Sequence, residues 1–279
     1  MKKVDRPIFV TGTGRSGMHP IMDLLAYHKD FSWPSQYNAR HPTRFKISIL
    51  NRILDLPLFH TNMKKDLAFL PYHHECWEMW ESLFPGFVKP HRSLSPDDLL
   101  IHHIEKIRKS VYTIMRYHGK KRFIAEYSDW PRIAFFKKIF EDAKFVFVVR
   151  DGRAVAHSIV NTHWFPTVID LVRKAIRNSD FENIADFQKC SLLEIAALYW
   201  KILIQQSISE LKLLDEEDYI VIKYESFVKN HYAVSKKCAD FVGVDFFDSR
   251  YQKHLKSMKI INANVSKLRV PSWKNNVSE

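Results

Sequence analysis

Ile8-Phe9-Val10-Thr11-Gly12-Thr13-Gly14-Arg15-Ser16-Gly17-Met18-His19 is an apolar run that passes straight into a turn containing three glycines. Behind the turn, Ile21, Met22, Leu24 and Leu25 recur at the spacing of an amphipathic helix over residues 18–28. The predicted order is strand at 6–11, loop at 12–17, helix at 18–28. In that order the loop's backbone N–H groups and the start of the helix converge on one point and can bind an anion. A glycine-rich turn with no ligand is the competing reading of these residues taken alone.

Further runs of β-branched or aromatic residues follow at 122–126, 144–149 and 218–223, with helical patterns between and around them at 192–214 and 226–242. Ser95, followed by Pro96 and two aspartates, reads as the N-cap of a helix whose stripe is Leu99, Leu100, Ile104, Ile107, Val111, Ile114 and Met115. Strands that alternate with helices predict an α/β fold, a three-layer sandwich with a central, mostly parallel sheet. Residues 34–69 and 73–80 have no clean period. They are expected as surface helices and loops, within an insertion over 34–95 that borders the ligand site, and Trp77 and Trp80 are candidates for a small-molecule pocket there.

With 279 residues, 46% hydrophobic and 14% aromatic, the chain can bury a full core, and one domain over 1–279 is expected. Neither a linker nor an internal repeat interrupts it. The apolar run near the N-terminus is too short for a signal peptide and the run at 145–149 too short to span a bilayer, so no membrane role is expected. Three widely spaced cysteines, Cys76, Cys190 and Cys238, argue against a disulfide framework and for a reducing compartment, the cytoplasm. The net charge of +12 raises nucleic-acid binding, but the basic residues are dispersed among acids and no nucleic-acid-binding motif is present. A small, multiply anionic ligand accounts for the same charge. The densest basic regions are 116–122 and the tail over 250–279, with Arg250, Lys253, Lys256, Lys259, Lys267, Arg269 and Lys274.

The strand at 144–149 runs into Arg150-Asp151-Gly152-Arg153, and Ser158 lies eight residues beyond Arg150 on the following helix. A guanidinium at the C-terminal end of a parallel strand sits where open α/β sheets bind ligands and can fork onto a phosphate. The competing reading is a structural Arg150–Asp151 ion pair with Ser158 an ordinary helix residue. The glycine loop has the spacing of a Walker A loop, yet Met18 and His19 stand where the lysine and the magnesium-binding hydroxyl belong. A P-loop nucleotide kinase therefore lacks both of its chemical parts here.

Taken together, residues 11–17 and 145–158 resemble the 5'-phosphosulfate loop and the 3'-phosphate motif of the sulfotransferases that use 3'-phosphoadenosine 5'-phosphosulfate (PAPS). Leu24-Leu25 with His28 and Asp30, Trp130-Pro131-Arg132-Ile133 and Lys223-Tyr224-Glu225-Ser226-Phe227 are similar to further landmarks of that family, across residues 7–243. The resemblance implies that Gly14, Ser16, Gly17, Met18 and His19 hold the 5'-phosphate and that Arg15 neutralises the bridging and sulfuryl oxygens. It implies Arg150 and Ser158 at the 3'-phosphate and Tyr224 near the adenine. Ser266 and Lys267 would lie in a basic C-terminal segment, 250–279, closing over the nucleotide. It also implies transfer from PAPS, leaving 3'-phosphoadenosine 5'-phosphate (PAP), to a hydroxyl or amine of a small natural product or a glycan. A sulfuryl group carries less charge than a phosphoryl group, so Arg15 can serve without a metal, and no metal is expected.

The sequence departs from the family pattern at three points. Met18-His19 replaces a pair of hydroxyl residues, Glu126 replaces a second lysine, and Gln36 stands where some members place a glutamate base. A glutamine side chain is no base, which leaves Asp129, Glu126, Glu75 and His19, with His74 behind them, as candidates to take the acceptor's proton. These departures also motivate an alternative, a catalytically inactive member that binds PAPS or another anion.

Overall fold

The computed structural model describes residues 3–56, 69–88, 92–177 and 189–258. Ser266 and Lys267, and most of the basic tail, lie outside them. Five parallel strands form one sheet: β1 (Ile8–Gly12), β2 (Phe31–Ser32), β3 (Arg122–Ser128), β4 (Lys144–Val149) and β5 (Tyr219–Lys223), in the order β2-β3-β1-β4-β5. Central strand β1 pairs with β3 on one side and β4 on the other, and every one of its residues is buried. The strand order reverses there, so the crevice that open α/β sheets use for ligands lies beyond the C-terminal end of β1.

Side-chain alternation along the strands feeds two cores. One face carries Phe9, Phe123, Ala125, Tyr127, Phe145 and Phe147, which pack with α3 (Trp77–Leu83), α4 (Ile101–His118) and α5 (Ile133–Ile139). Phe9 stacks on Phe136 of α5 with ring centroids 4.1 Å apart. The other face carries Ile8, Val10, Ile124, Val146, Val148 and Ile222 against α1 (Met18–Ala26), α10 (His231–Val242) and α11 (Ser249–Ser257). A third apolar cluster joins α6 (Gly152–Val160), α7 (Phe165–Arg177) and α8 (Leu192–Leu211). The three-layer α/β sandwich is thus present, and among the described residues no helix is long and apolar enough to cross a membrane.

Several boundaries differ from the sequence reading, each for a local reason. Ser95 does cap, but it caps a 3-10 turn at Pro96–Asp98: its Oγ accepts from the Asp97 amide while Asp98 Oδ2 accepts from the Ser95 amide at 2.8 Å. Leu99 and Leu100 are then extended, and α4 starts only at Ile101. The expected helix at 226–242 is two, α9 (Tyr224–Lys229) and α10, broken at Asn230, whose side chain accepts from the Ala233 amide and caps the second.

The segment expected at the surface around 73–80 is core in part: Glu75 and Trp77 are half-buried and Glu78 is exposed, while other positions face inward. His73, Cys76, Met79, Trp80 and Leu83 are each at most 1% exposed. The described part of 34–69 holds α2 (Gln36–Arg40) and a 3-10 helix at Phe45–Asp55, and side chains anchor its backbone. Asn38 Oδ1 accepts from the Ser35 amide at 2.9 Å, and Asn51 Nδ2 donates to the Trp33 carbonyl at 3.0 Å.

Candidate functional site

The loop after β1 is built around glycine and strain. Gly17, the N-cap of α1, has φ +88°, and a Cβ there would collide with the Tyr224 ring. Arg15 and Asp129, both at the crevice, adopt φ +67° and +66°, and Cys76 adopts +52°. Non-glycine residues in this region cost about 1–3 kcal/mol each, which the surrounding contacts must offset. Asp129 supplies one such contact, since its Oδ1 accepts the Gly14 amide at 3.0 Å and fixes the loop to the end of β3.

No side chain caps α1, so its first-turn amides at Met18 and His19 lack intrahelical acceptors and remain available to an anion. Pro20 has no amide to offer. Thr13 Oγ1 and Ser16 Oγ are buried without a hydrogen-bond partner. A buried hydroxyl left unpaired is costly, and two of them beneath this loop fit an oxyanion such as a phosphate.

A second group meets the loop from β4 and α6. Arg150, at the C-terminal end of β4, donates from Nη1 to the Arg15 carbonyl at 3.0 Å and lies over the Tyr224 ring, 4.7 Å from its centroid. Ser158 Oγ accepts from Arg15 Nε at 2.9 Å. The competing Arg150–Asp151 ion pair does not form: Asp151 instead caps α6 and pairs with Arg153 at 2.6 Å. Two guanidiniums, uncapped amides and an aromatic ring thus share one rim.

A cleft of about 650 Å³ opens on that rim. Gly14, Arg15, Gly17, Met18, His19, Arg150 and Tyr224 line its cationic side; Glu75, Glu126, Ser128 and Asp129 face them, with Trp77 and Trp164. The carboxyls are in unlike states. Burial and the charge of Glu126 push Glu75 up to about 8, against hydrogen bonds from Ser128 and Trp77. Burial raises Asp129 as well, opposed by the Gly14 amide. Burial would also raise Glu126, but His73 and His19 outweigh it and hold that carboxyl well below the usual range.

Glu126 is the hub of a hydrogen-bonded row. Its Oε1 lies 2.6 Å from His73 Nδ1 and its Oε2 3.1 Å from His19 Nδ1, and His73 Nε2 lies 2.7 Å from Asp23 Oδ1. Between two carboxylates His73 is held up to about 10, although its burial acts in the opposite direction. His19, His73 and Glu126 form the one group among the described residues with the composition of a metal site, their atoms within 4.8 Å of one another. What links them here is hydrogen bonding. A buried charge left without its partner costs about 3–5 kcal/mol, so each member holds the next in place.

Comparison with known proteins places the chain. The profile of the sulfotransferase family matches residues 7–248. The chain belongs to the sulfotransferase family. A search of curated proteins found no match. Among solved structures, the sulfotransferase is similar to sulfotransferase STF9 from Mycobacterium avium, at 14% identity and a TM-score of 0.59, with 91% of this chain and 68% of that one covered. It is also similar to sulfotransferase STF1 from Mycobacterium tuberculosis H37Rv, at 13% identity and a TM-score of 0.53, over 98% of this chain and 76% of that one. At such identities the likeness is one of fold.

The sulfotransferase brings most of the residues singled out in its sequence into one place. Ser16 sits beneath the loop, and Ser158 reaches the rim through Arg15. Trp77 lines the cleft, whereas Trp80 is core, stacked on Phe87 at 5.6 Å. Gln36 is structural: its Nε2 donates to the Leu70 carbonyl at 2.8 Å and its Oε1 accepts the Tyr72 amide at 2.9 Å. His74 donates nothing to the row; its Nδ1 accepts the Cys76 amide at 3.0 Å. Sequence reasoning missed Asp23, His73 and Trp164. Asp23 carried a signal, a carboxylate on the apolar stripe of α1 that burial obliges to find a partner.

Proposed function

We propose that this sulfotransferase takes its sulfuryl group from PAPS and delivers it, without a metal, to a hydroxyl or amine of a small natural product or a glycan. The observation that carries the reading is the convergence on one rim of the uncapped start of α1, Arg15, Arg150 and the Tyr224 ring, with Ser158 bound to Arg15. Bound PAPS supplies a sulfuryl group joined to a phosphate that can leave.

The 5'-phosphate fits the amides of Gly17, Met18 and His19 above the unpartnered Thr13 and Ser16 hydroxyls. Arg150 and Ser158 take the 3'-phosphate, and Tyr224, already beneath a guanidinium, borders the adenine. Arg15, fixed by Ser158 and by its own backbone strain, stabilises charge on the departing oxygen. We assign proton removal to His19, backed by Glu126. Asp129 is committed to the Gly14 amide, Glu126 already accepts from two imidazoles, and burial pushes Glu75 up to about 8. With Nδ1 donating to Glu126, His19 keeps the Nε2 lone pair to accept a proton from the acceptor. Cysteines that are free in the structure suit a reducing, cytoplasmic setting.

Incubation with labelled PAPS and a panel of metabolite, phenol and sugar acceptors, in the presence of a chelator, tests the proposal by mass shift. A sulfonated product is expected. Failure to bind PAP together with no transfer to any acceptor would contradict it.

A further inference from the structure

Glu126 shares the face of β3 that bears Ile124, the side on which α1 packs. Asp23 of α1 and His73 close around it, and all three are at most 3% exposed. The row Asp23, His73, Glu126, His19 has hydrogen-bond spacings of 2.7, 2.6 and 3.1 Å and ends in the cleft at His19, whose side chain is 44% exposed, with Glu126 behind it at 1%. A core that needed only filling would be as stable, or more so, with apolar side chains here. Stability therefore does not explain the row, while its direction, from beneath α1 to an imidazole on the rim, suits proton handling.

Chemistry fixes the hydrogens. Both nitrogens of His73 face carboxyl oxygens; with both carboxyls ionised these only accept, so both nitrogens carry hydrogen and His73 is an imidazolium. Asp23 and Glu126 favour that charged form against its burial. The other ionisable groups around the row are Tyr27 of α1, His74 and Glu75 from the segment before α3, and His254 of α11, whose Nε2 lies 2.8 Å from the Asp23 carbonyl. Burial keeps Tyr27 in its neutral form and lowers His74 and His254, so the fixed positive charge in the row is that of His73.

We propose that Asp23 and His73 are positioning residues for proton removal from the acceptor. They hold Glu126 as an aimed anion that fixes the Nδ1–H tautomer of His19, and the charge of His73 offsets that of Glu126 so that His19 both takes and releases a proton. The inference rests on the assignment of His19 made above. In the step it serves, the acceptor oxygen bonds to sulfur as the bond from sulfur to the phosphate oxygen breaks. The acceptor's proton goes to His19 Nε2 and then to solvent, leaving the sulfate ester and PAP.

The test is a nitrogen NMR titration of 15N-histidine-labelled protein, without and with PAP, with signals assigned through His19→Gln and His73→Gln. We expect His73 to be doubly protonated at pH 7. His19 should show the Nδ1–H tautomer, and that preference should weaken in Glu126→Gln and in His73→Gln, where Glu126 is lost or no longer aimed. Asp23→Asn, close in shape to the native residue, should disturb the His19 tautomer less than His73→Gln does, and it carries the test if His73→Gln does not fold. Turnover in Asp23→Asn and His73→Gln should drop about tenfold or more while PAP affinity stays within about twofold.

A neutral His73 at pH 7, or a His19 tautomer that ignores these changes in folded protein, would overturn the proposal. So would turnover that a chelator abolishes and zinc restores, which would make the cluster a metal site. A chain that titrates as expected but does not bind PAP would count against the PAPS reading alone.

Discussion

Arg15 Nε and Ser158 Oγ are 2.9 Å apart, although 143 residues separate them in the chain. The bond ties the loop after β1 to α6 and spends one of the five donors of the guanidinium, so the charge that faces the cleft has a fixed origin.

Arg15→Ala should therefore separate catalysis from binding. Stabilisation of charge that develops during transfer is worth about a hundredfold or more in turnover, whereas the loss in PAP affinity should stay near tenfold, the scale of one charged hydrogen bond. Steady-state kinetics beside calorimetric titration with PAP checks this. Equal losses in the two would reduce Arg15 to a binding residue.

Gly17 allows a prediction of structure. Its φ of +88° and the Tyr224 ring standing where a Cβ would go oppose any side chain in two independent ways. Gly17→Ala should lower the melting temperature and weaken PAP binding. Adding Tyr224→Ala should recover part of the stability, because it removes the collision and leaves the backbone cost of about 1–2 kcal/mol. Thermal melts of the single and double variants decide it, and no recovery in the double variant would contradict the packing described.

How much of this the sequence showed depended on distance along the chain. Strand, glycine turn and helix at 8–26 follow one another, so their periods and the missing Walker lysine read directly, and the same holds for β4 running into Arg150. His73 did not read as a partner of Asp23 and Glu126. Its partners Asp23 and Glu126 come from positions 50 and 53 residues away, and the segment that carries it follows the shape of the core rather than a helical or strand period. Strand β2 has two residues, too few to alternate, and it exists because Phe31 and Ser32 pair with Arg122 and Phe123. Tyr224 and Arg150 could be matched to family landmarks, but that one lies over the other is a fact of the sheet's parallel register at β4 and β5.

Glu75 gives a pH signature. Its folded carboxyl is raised to about 8, above the ordinary value of 4.5, so the native state binds a proton that the unfolded chain has already lost. The stabilisation this gives is present at acid pH and is lost as pH rises from about 4.5 through 8. Relative to the native protein, Glu75→Gln should gain stability as pH rises through that window. Denaturant melts at a series of pH values test the sign, and a difference that stays flat with pH would show that Glu75 is ionised in the folded chain.

The most direct measurement of the central claim compares PAP with adenosine 5'-monophosphate by calorimetry in the presence of a chelator. The two ligands share the adenosine and the 5'-phosphate and differ at the 3'-phosphate assigned to Arg150 and Ser158. PAP should bind at least about tenfold more tightly, and Arg150→Ala, losing about 2 kcal/mol or more at a charged pair, should remove most of that preference. Equal affinity for the two ligands, or a preference that survives Arg150→Ala, would contradict the account.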